Sequence, residues 1–275
     1  MQTTSPRDPR VGGVLRLVCG LALTPSVVAV CAAFSSRIHV GALGGNIAAF
    51  AGATLIPILA LAIAASAEVA LAPTLFVAVT AIASLIAVAL VQPAPLTAVL
   101  LVDGALVGVA WACGTSLGRR VQHASHLLPA CVVAASADIV SLLSPEGPTH
   151  AIVKSDRALT VLAVWFPVPG SSALAPALGV GDLLFIGLVF GVAVAHHLPY
   201  ARTVLLAVLG TSLAGLAAAW LGVAVPALVP IAAAILLGLP MVRNVRPADR
   251  SAAKWSVVIA GSIVLATVVR GFFSR

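Results

Sequence analysis

Charged residues are scarce in this sequence. Lys, Arg, Asp and Glu make up 8% of the 275 residues, hydrophobic residues make up 61%, and the mean hydropathy is +1.16. A soluble globular domain carries about 25% charged residues, so this composition excludes an ordinary soluble domain. The sequence therefore predicts an integral membrane protein that has the lipid bilayer as its surroundings.

Strands with alternating polar and apolar residues are also absent, which disfavours a transmembrane β-barrel. Ala, Leu and Val fill long continuous runs instead, and these predict an all-α, polytopic helix bundle, because helices satisfy their own backbone hydrogen bonds in lipid. About 20 apolar residues are needed to cross ~30 Å of hydrocarbon. The predicted spans, about nine in number, are residues 11–33, 41–65, 70–92, 96–117, 123–144, 179–198, 203–222, 224–240 and 254–272.

Patterns that would indicate a disulfide scaffold or a metal site are missing. The four cysteines lie within predicted spans, where they pack as small hydrophobic residues. His123 and His126 lie at a span end without a His-Glu-x-x-His pattern, so a zinc protease is not indicated and no metal is expected. Residues 114–118, "GTSLG", match a serine nucleophile motif, but they end an apolar span and are interpreted as a chance match.

The net charge of +7 is explained by membrane orientation better than by nucleic-acid binding, because the basic residues lie at span ends. A cytoplasmic N-terminus places nine of them inside and five outside. The first span follows Arg7 and Arg10 as a signal peptide does, but its length predicts an uncleaved helix. The Ala-, Val- and Arg-rich composition suggests a prokaryotic cell membrane.

Three of the eight acidic residues lie within apolar spans: Asp103, Asp138 and Asp182. A charged side chain there costs ~2.5–3.5 kcal/mol on insertion scales, so each carboxylate needs a partner or a water-filled cavity. Asp138 precedes the end of one span, and Asp182 follows the start of the next long one. Antiparallel helices then place both about 5–10 Å below the same membrane face, and the two carboxyl groups can meet.

A facing pair of carboxyl groups favours one particular chemistry. Two such groups in a site of low dielectric tend to share one proton. The ionised member can then activate water as a general base, while the protonated member acts on the scissile carbonyl as a general acid. Spacing alone also allows a structural carboxylate or an ion-coupling site. Asp103 could hydrogen-bond within the bundle, line an aqueous cavity or belong to a proton path.

Three motifs resemble those of one family. Residues 179–182, "GVGD", resemble the Gly-x-Gly-Asp signature of presenilins and signal peptide peptidases, the intramembrane aspartyl proteases. Residues 136–148, "SADIVSLLSPEGP", resemble the family's first catalytic helix and its Pro-x-Gly-Pro exit, and residues 225–230, "VPALVP", contain its Pro-Ala-Leu tripeptide. Asp138, Asp182 and Pro226 follow one another in the family's order at intervals of 44 positions. The resemblance covers about residues 130–240.

The resemblance implies a prokaryotic member of this family, with Asp138 and Asp182 as the catalytic pair. Its substrates would be membrane-spanning segments of proteins or signal peptides, and its reaction needs water but no cofactor. The glycines next to Asp182 would keep the helix entry open, although close helix packing is an alternative. The tripeptide would lie beside the pair, although a plain helix start is an alternative. The implied substrate-binding residues are Gly179, Gly181, Pro226, Ala227 and Leu228.

The sequence also departs from the family. Ala137 stands where a Tyr usually precedes the first aspartate, Asp138 falls on the fifth predicted span rather than the sixth, and one further span follows the tripeptide. Residues 159–168 are too short to span and are predicted to form a strand or an interfacial helix that could pair with an unwound substrate. The chain divides into a scaffold (1–122), a catalytic core (123–240) and a C-terminal loop and helix (241–275).

Two other functions fit the same sequence. A proton- or cation-coupled transporter or channel would use Asp103, Asp138 and Asp182 as its ionisable groups. A catalytically silent homologue would act as a binding scaffold. The short connections between spans provide no large domain outside the membrane for recognising substrates.

Overall fold

The fold is a bundle of α-helices with a short strand pair inserted between two of them. The computed structural model describes residues 9–35, 37, 42–92, 94–144, 147–221 and 225–273. The α-helices are α1 (Pro9–Ser35), α2 (Ala42–Ala65), α3 (Leu71–Val91), α4 (Pro95–Val109), α5 (Ser116–Arg120), α6 (Leu127–Leu143), α7 (Pro148–Lys154), α8 (Asp156–Leu162), α9 (Val180–Ala195), α10 (Tyr200–Leu221), α11 (Leu228–Gly238), α12 (Pro240–Arg243) and α13 (Arg250–Phe273).

Among the described residues, seven helical segments are long and apolar enough to cross a membrane, as expected of an integral membrane protein. They correspond to seven of the predicted spans. The other two predicted spans, 179–198 and 224–240, form the shorter apolar helices α9 and α11. The seven segments are Gly12–Ser35, Gly44–Ala65, Leu71–Val91, Pro95–Arg120, Ala124–Leu143, Tyr200–Ala218 and Pro247–Val269.

Each of the two shorter helices begins directly after a non-helical segment. Helix α9 has 16 residues and α11 has 11, so they extend over about 24 Å and 16 Å, less than ~30 Å of hydrocarbon. A strand leads directly into α9, and a non-helical segment containing Pro226 leads into α11. Both helices therefore start with free backbone N–H groups that need acceptors other than helical carbonyls.

The strand pair lies in the connection between α6 and α9. Strand β1 (Ala163–Pro167) pairs antiparallel with β2 (Leu174–Gly179), and the register shifts between Val164 and Trp165. The predicted all-α bundle thus carries a small two-stranded sheet. Both alternatives for residues 159–168 occur in part, because helix α8 occupies the first half of that segment and β1 the second.

Helix α9 packs closely against the segment that continues α4. Residues Ala110–Thr115 form a π-helical turn between α4 and α5, and α9 lies along this turn and α5. A Cβ atom added at Gly114 would lie 2.6 Å from the Leu184 carbonyl oxygen, so only glycine permits this approach. The stretch 114–118 therefore forms part of a helix interface, consistent with its dismissal as a nucleophile motif.

The same region contains the largest apolar core. Trp111, Phe190 and Ile186 are fully buried there, together with Leu61 of α2. The indole Nε1 of Trp111 donates a hydrogen bond to the Ala64 carbonyl at 2.9 Å. This core fixes α9 against α2 and α4, and so fixes the helix that carries Asp182.

Candidate active site

Asp182 lies in the first turn of α9, directly after the strand-to-helix junction. Gly179 ends β2, and its backbone N–H donates a hydrogen bond to Asp182 Oδ2 at 3.0 Å. The first turn of a helix favours a carboxylate, because its free N–H groups and the helix dipole are positive there. The Asp182 side chain is half-buried. Helix capping is thus one role of this residue, and it leaves the second carboxylate oxygen available.

Asp138 lies in α6, near the end that leads to the strand connection. Its Oδ2 accepts a hydrogen bond from the backbone N–H of Leu228 at 2.9 Å, and Leu228 is the first residue of α11. Helix α6 packs along α11, which brings the two together. Asp138 is also half-buried. It therefore satisfies one of the free N–H groups at the start of a neighbouring helix.

Helices α6 and α9, which carry the two aspartates, contact each other. The charge of Asp138 acts on the carboxyl group of Asp182. Each uses Oδ2 to hold one backbone N–H, and within the described part of the chain neither Asp138 Oδ1 nor Asp182 Oδ1 receives a hydrogen bond. Two acid oxygens from adjacent helices are thus left for a water molecule or a peptide carbonyl.

The two glycines before Asp182 differ in their surroundings. A Cβ atom at Gly179 would lie 3.3 Å from Asp182 Oδ2, whereas a Cβ atom at Gly181 would meet nothing within 4 Å among the described residues. Gly179 therefore allows the tight backbone-to-carboxylate contact. Gly181 borders open space one residue from Asp182, so helix packing does not explain it.

The Pro-Ala-Leu tripeptide lies beside Asp138. Pro226 and Ala227 precede α11 and are half-buried, and Leu228 supplies the N–H that Asp138 accepts. The carbonyl of Pro226 accepts a long hydrogen bond from the Val229 N–H, at 3.4 Å. The structure thus brings the tripeptide and the first aspartate together, as the resemblance implies, and the tripeptide also forms a helix start.

Asp103 occupies a different environment. It is 0% exposed in α4, and its Oδ1 accepts a hydrogen bond from the backbone N–H of Trp165 in β1 at 3.0 Å. Its Oδ2 is buried and has no hydrogen-bond partner among the described residues. The sequence allowed three roles for Asp103, and the structure shows the first of them, a hydrogen bond within the bundle. Sequence analysis missed this bond, because its two ends are 62 residues apart and no local pattern indicates it.

The histidines at the start of α6 make contacts to a turn before α13. His126 Nε2 lies 3.4 Å from Asp249 Oδ2, and Arg246 Nη1 lies 2.7 Å from His123 Nε2. Desolvation and the charge of Arg246 lower the pKa of His123. Among the residues that the structure describes, no group of three His, Cys, Asp or Glu side chains could hold a metal ion. These histidines thus link the segment before α6 to the segment before α13.

A cavity of about 430 Å³ lies beside the strand pair, away from the two half-buried aspartates. Val99 of α4, Arg157 of α8, Trp165 of β1 and Leu174 of β2 are among its lining residues. Neither Asp138 nor Asp182 lines it. The open space beside Gly181 is therefore not part of this cavity.

Comparison with known proteins adds no relative to this picture. No protein-family model matches the chain, and neither the curated proteins nor the solved structures contain a match. The fold defines the class as a helical protein with membrane-spanning helices.

Proposed function

We propose that this protein is an intramembrane aspartyl protease that hydrolyses peptide bonds within transmembrane segments of membrane proteins or signal peptides. The observation that carries the proposal is the pair of half-buried aspartates on the contacting helices α6 and α9. The charge of Asp138 acts on Asp182, and each aspartate has one oxygen free of hydrogen bonds from the described residues. Like charges so close in a membrane interior favour a state in which the pair shares a proton. The presenilin-like order of the motifs supports the same reaction.

Hydrolysis follows from the shared proton. The ionised aspartate takes a proton from a water molecule, and the oxygen of that water attacks the scissile carbonyl carbon. The protonated aspartate donates a hydrogen bond and then its proton to the carbonyl oxygen, giving a neutral gem-diol. Collapse of this intermediate breaks the C–N bond, with a proton delivered to the leaving amine. Water is the nucleophile, so no cofactor and no acyl-enzyme take part.

The residues around the pair would hold the substrate in an extended conformation. Gly181 borders open space next to Asp182, where a substrate backbone can approach without meeting a side chain. Gly179 fixes Asp182, and the half-buried Pro226, Ala227 and Leu228 lie beside Asp138. The strand pair in the 145–178 connection would offer an edge to an unwound substrate. With the N-terminus in the cytoplasm, that connection faces outside.

Cleavage of a defined substrate tests the proposal. Purified protein in lipid nanodiscs is incubated with a single-span helical peptide, and products are identified by mass spectrometry. The expected result is cleavage by the wild type and none by Asp138→Ala or Asp182→Ala, with circular dichroism showing that both variants keep their helices. Cleavage that persists in either variant would overturn the assignment of the pair.

The alternative is a proton- or cation-coupled transporter or channel, for which the third buried aspartate is the favouring observation. The bond from Asp103 to a backbone N–H assigns that residue a structural partner instead. Reconstituted vesicles with an ion- or pH-sensitive dye separate the two functions. Flux that requires Asp103, without peptide cleavage, would favour the transporter.

A further inference from the structure

Asp103 is a buried acid that the proposed reaction does not use. It sits in α4, 0% exposed, where a carboxyl group needs a defined partner to offset its loss of hydration. Its one hydrogen bond to the described residues comes from the backbone N–H of Trp165. A helix side chain thus holds the backbone of a strand that is distant in sequence.

The bond lies at an irregular point of the strand pair. Val164 pairs with Leu178, but Trp165 pairs with Pro176, so Ala177 is an extra residue in β2 and the pair contains a bulge. A bulge disrupts the ladder of hydrogen bonds and re-aims the chain that follows it. Because Asp103 accepts from Trp165 at this step, it fixes where along the strands the bulge occurs.

The strand that carries the extra residue leads directly to Asp182. Two residues after Ala177, Gly179 ends β2, and Val180 begins α9. The Gly179 N–H holds Asp182 Oδ2, so the end of β2 sets the position of this carboxylate. A shift of the pairing by one residue would turn every side chain of β2 to the opposite face.

We propose that Asp103 is a positioning residue, which acts on Asp182 by anchoring the bulge of the strand pair through the backbone N–H of Trp165. This inference deepens the proposed protease function and depends on it for its effect on cleavage. It also gives the third intramembrane aspartate a role without charge transfer: only the acceptor oxygen of Asp103 is required.

Two substitutions separate the acceptor oxygen from the acid. Asp103→Asn keeps an oxygen at the same position, whereas Asp103→Leu has a similar size and no acceptor. The expected result is that Asp103→Asn keeps kcat within about threefold of wild type, while Asp103→Leu lowers kcat by about 10- to 100-fold with a smaller change in KM, the loss typical of misplaced catalytic groups. If both variants lose activity equally, the acid itself is needed; if neither does, the anchor has no effect on Asp182. Either result overturns the proposal.

Amide hydrogen exchange tests the anchor without using cleavage. In nanodiscs, Asp103→Leu should exchange faster than wild type at residues 163–179, Asp103→Asn should not, and α10 should be unchanged in both. Unchanged exchange at 163–179 in Asp103→Leu would overturn the anchoring role. If the wild type cleaves no substrate, the proposed function fails. The difference in exchange between Asp103→Leu and wild type still shows whether Asp103 anchors the strands.

A matched control and a reserve variant complete the test. Thr24 in α1 is also fully buried, and its hydroxyl has no partner among the described residues. Thr24→Val removes a polar atom from the core and leaves both Asp103 and the Trp165 N–H in place, so neither exchange at 163–179 nor kcat should change. If Asp103→Leu does not fold, Asp103→Ser replaces it, because its shorter side chain cannot reach the Trp165 N–H.

Discussion

The carboxyl groups of Asp138 and Asp182 are more exposed than the carboxyl group of Asp103. The pair is half-buried, and each member holds one N–H at or near a helix start. Asp103 is fully buried and holds a strand. All three carboxylates accept one backbone hydrogen bond from the described residues, so that bond does not distinguish them. Asp138 and Asp182 are distinguished from Asp103 by their exposure and by the presence of a second carboxyl group.

This difference shows why intramembrane position alone does not identify a catalytic acid. A lone buried carboxyl group with a backbone donor can hold the fold together, as capping side chains do in soluble proteins. Two carboxyl groups that face each other and reach water can exchange a proton with a substrate. The comparison predicts that substitutions at the pair abolish cleavage and that those at Asp103 act only through geometry.

The largest effect is expected from removing the two proposed proton-transfer groups while keeping their shape. Asp138→Asn and Asp182→Asn should each lower the cleavage rate by at least about a thousandfold, because an amide neither activates water nor donates an acid proton. The double variant should be no slower than either single one, because the two groups act as a unit. Product formation measured by mass spectrometry checks this. A double variant much slower than both singles would show that the two acids act separately.

A smaller loss is expected from filling the space beside Asp182. Gly181→Leu should lower cleavage by about 10- to 100-fold by blocking the approach of substrate, and leave the thermal midpoint almost unchanged, because a Cβ atom there meets nothing within 4 Å. Gly261→Leu in α13 is the control, since Gly261 also borders open space. Normal cleavage by Gly181→Leu would show that substrate approaches Asp182 from another side.

A more modest change is expected from separating α9, which carries Asp182, from the segment that continues α4, which carries Asp103. Gly187 of α9 faces the Ala110 carbonyl so closely that an added Cβ atom would overlap it. Gly187→Leu should lower the free energy of unfolding by about 1–3 kcal/mol, as overpacking does in cores. Cleavage should fall by about tenfold through displacement of Asp182. Tryptophan fluorescence during heating measures the first effect, and a wild-type midpoint in the variant would contradict it.

Some of this architecture follows from sequence because it depends on local composition. The predicted span 41–65 matches α2 within a residue, since an apolar run between polar breaks defines its own length. The contact between α6 and α9 is also expected from the sequence, because counting residues along antiparallel helices places Asp138 and Asp182 at a similar depth.

Other features could not be predicted, because they depend on contacts between distant segments. The bond between Asp103 and the Trp165 N–H lies at a bulge whose position the strand sequences do not specify. The start of one span is wrong for a similar reason: the predicted span 224–240 begins before Pro226 because the apolar composition continues there, whereas helix α11 begins only at Leu228. Hydropathy measures how apolar a segment is, whereas the start of α11 depends on which neighbour accepts each N–H.

The smallest effect is expected at a partly exposed aspartate, Asp249, which lies just before α13. Asp249 contacts His126, and both side chains are about one-third exposed, at 32% and 34%. Exposed ion pairs contribute less than about 1 kcal/mol and are screened by salt. Asp249→Asn should therefore shift the thermal midpoint only slightly, less so at high ionic strength, and leave cleavage unchanged. A tenfold loss of cleavage in this variant would mean that acids beyond the facing pair contribute to the reaction, and exposure together with pairing would no longer separate catalytic from structural aspartates.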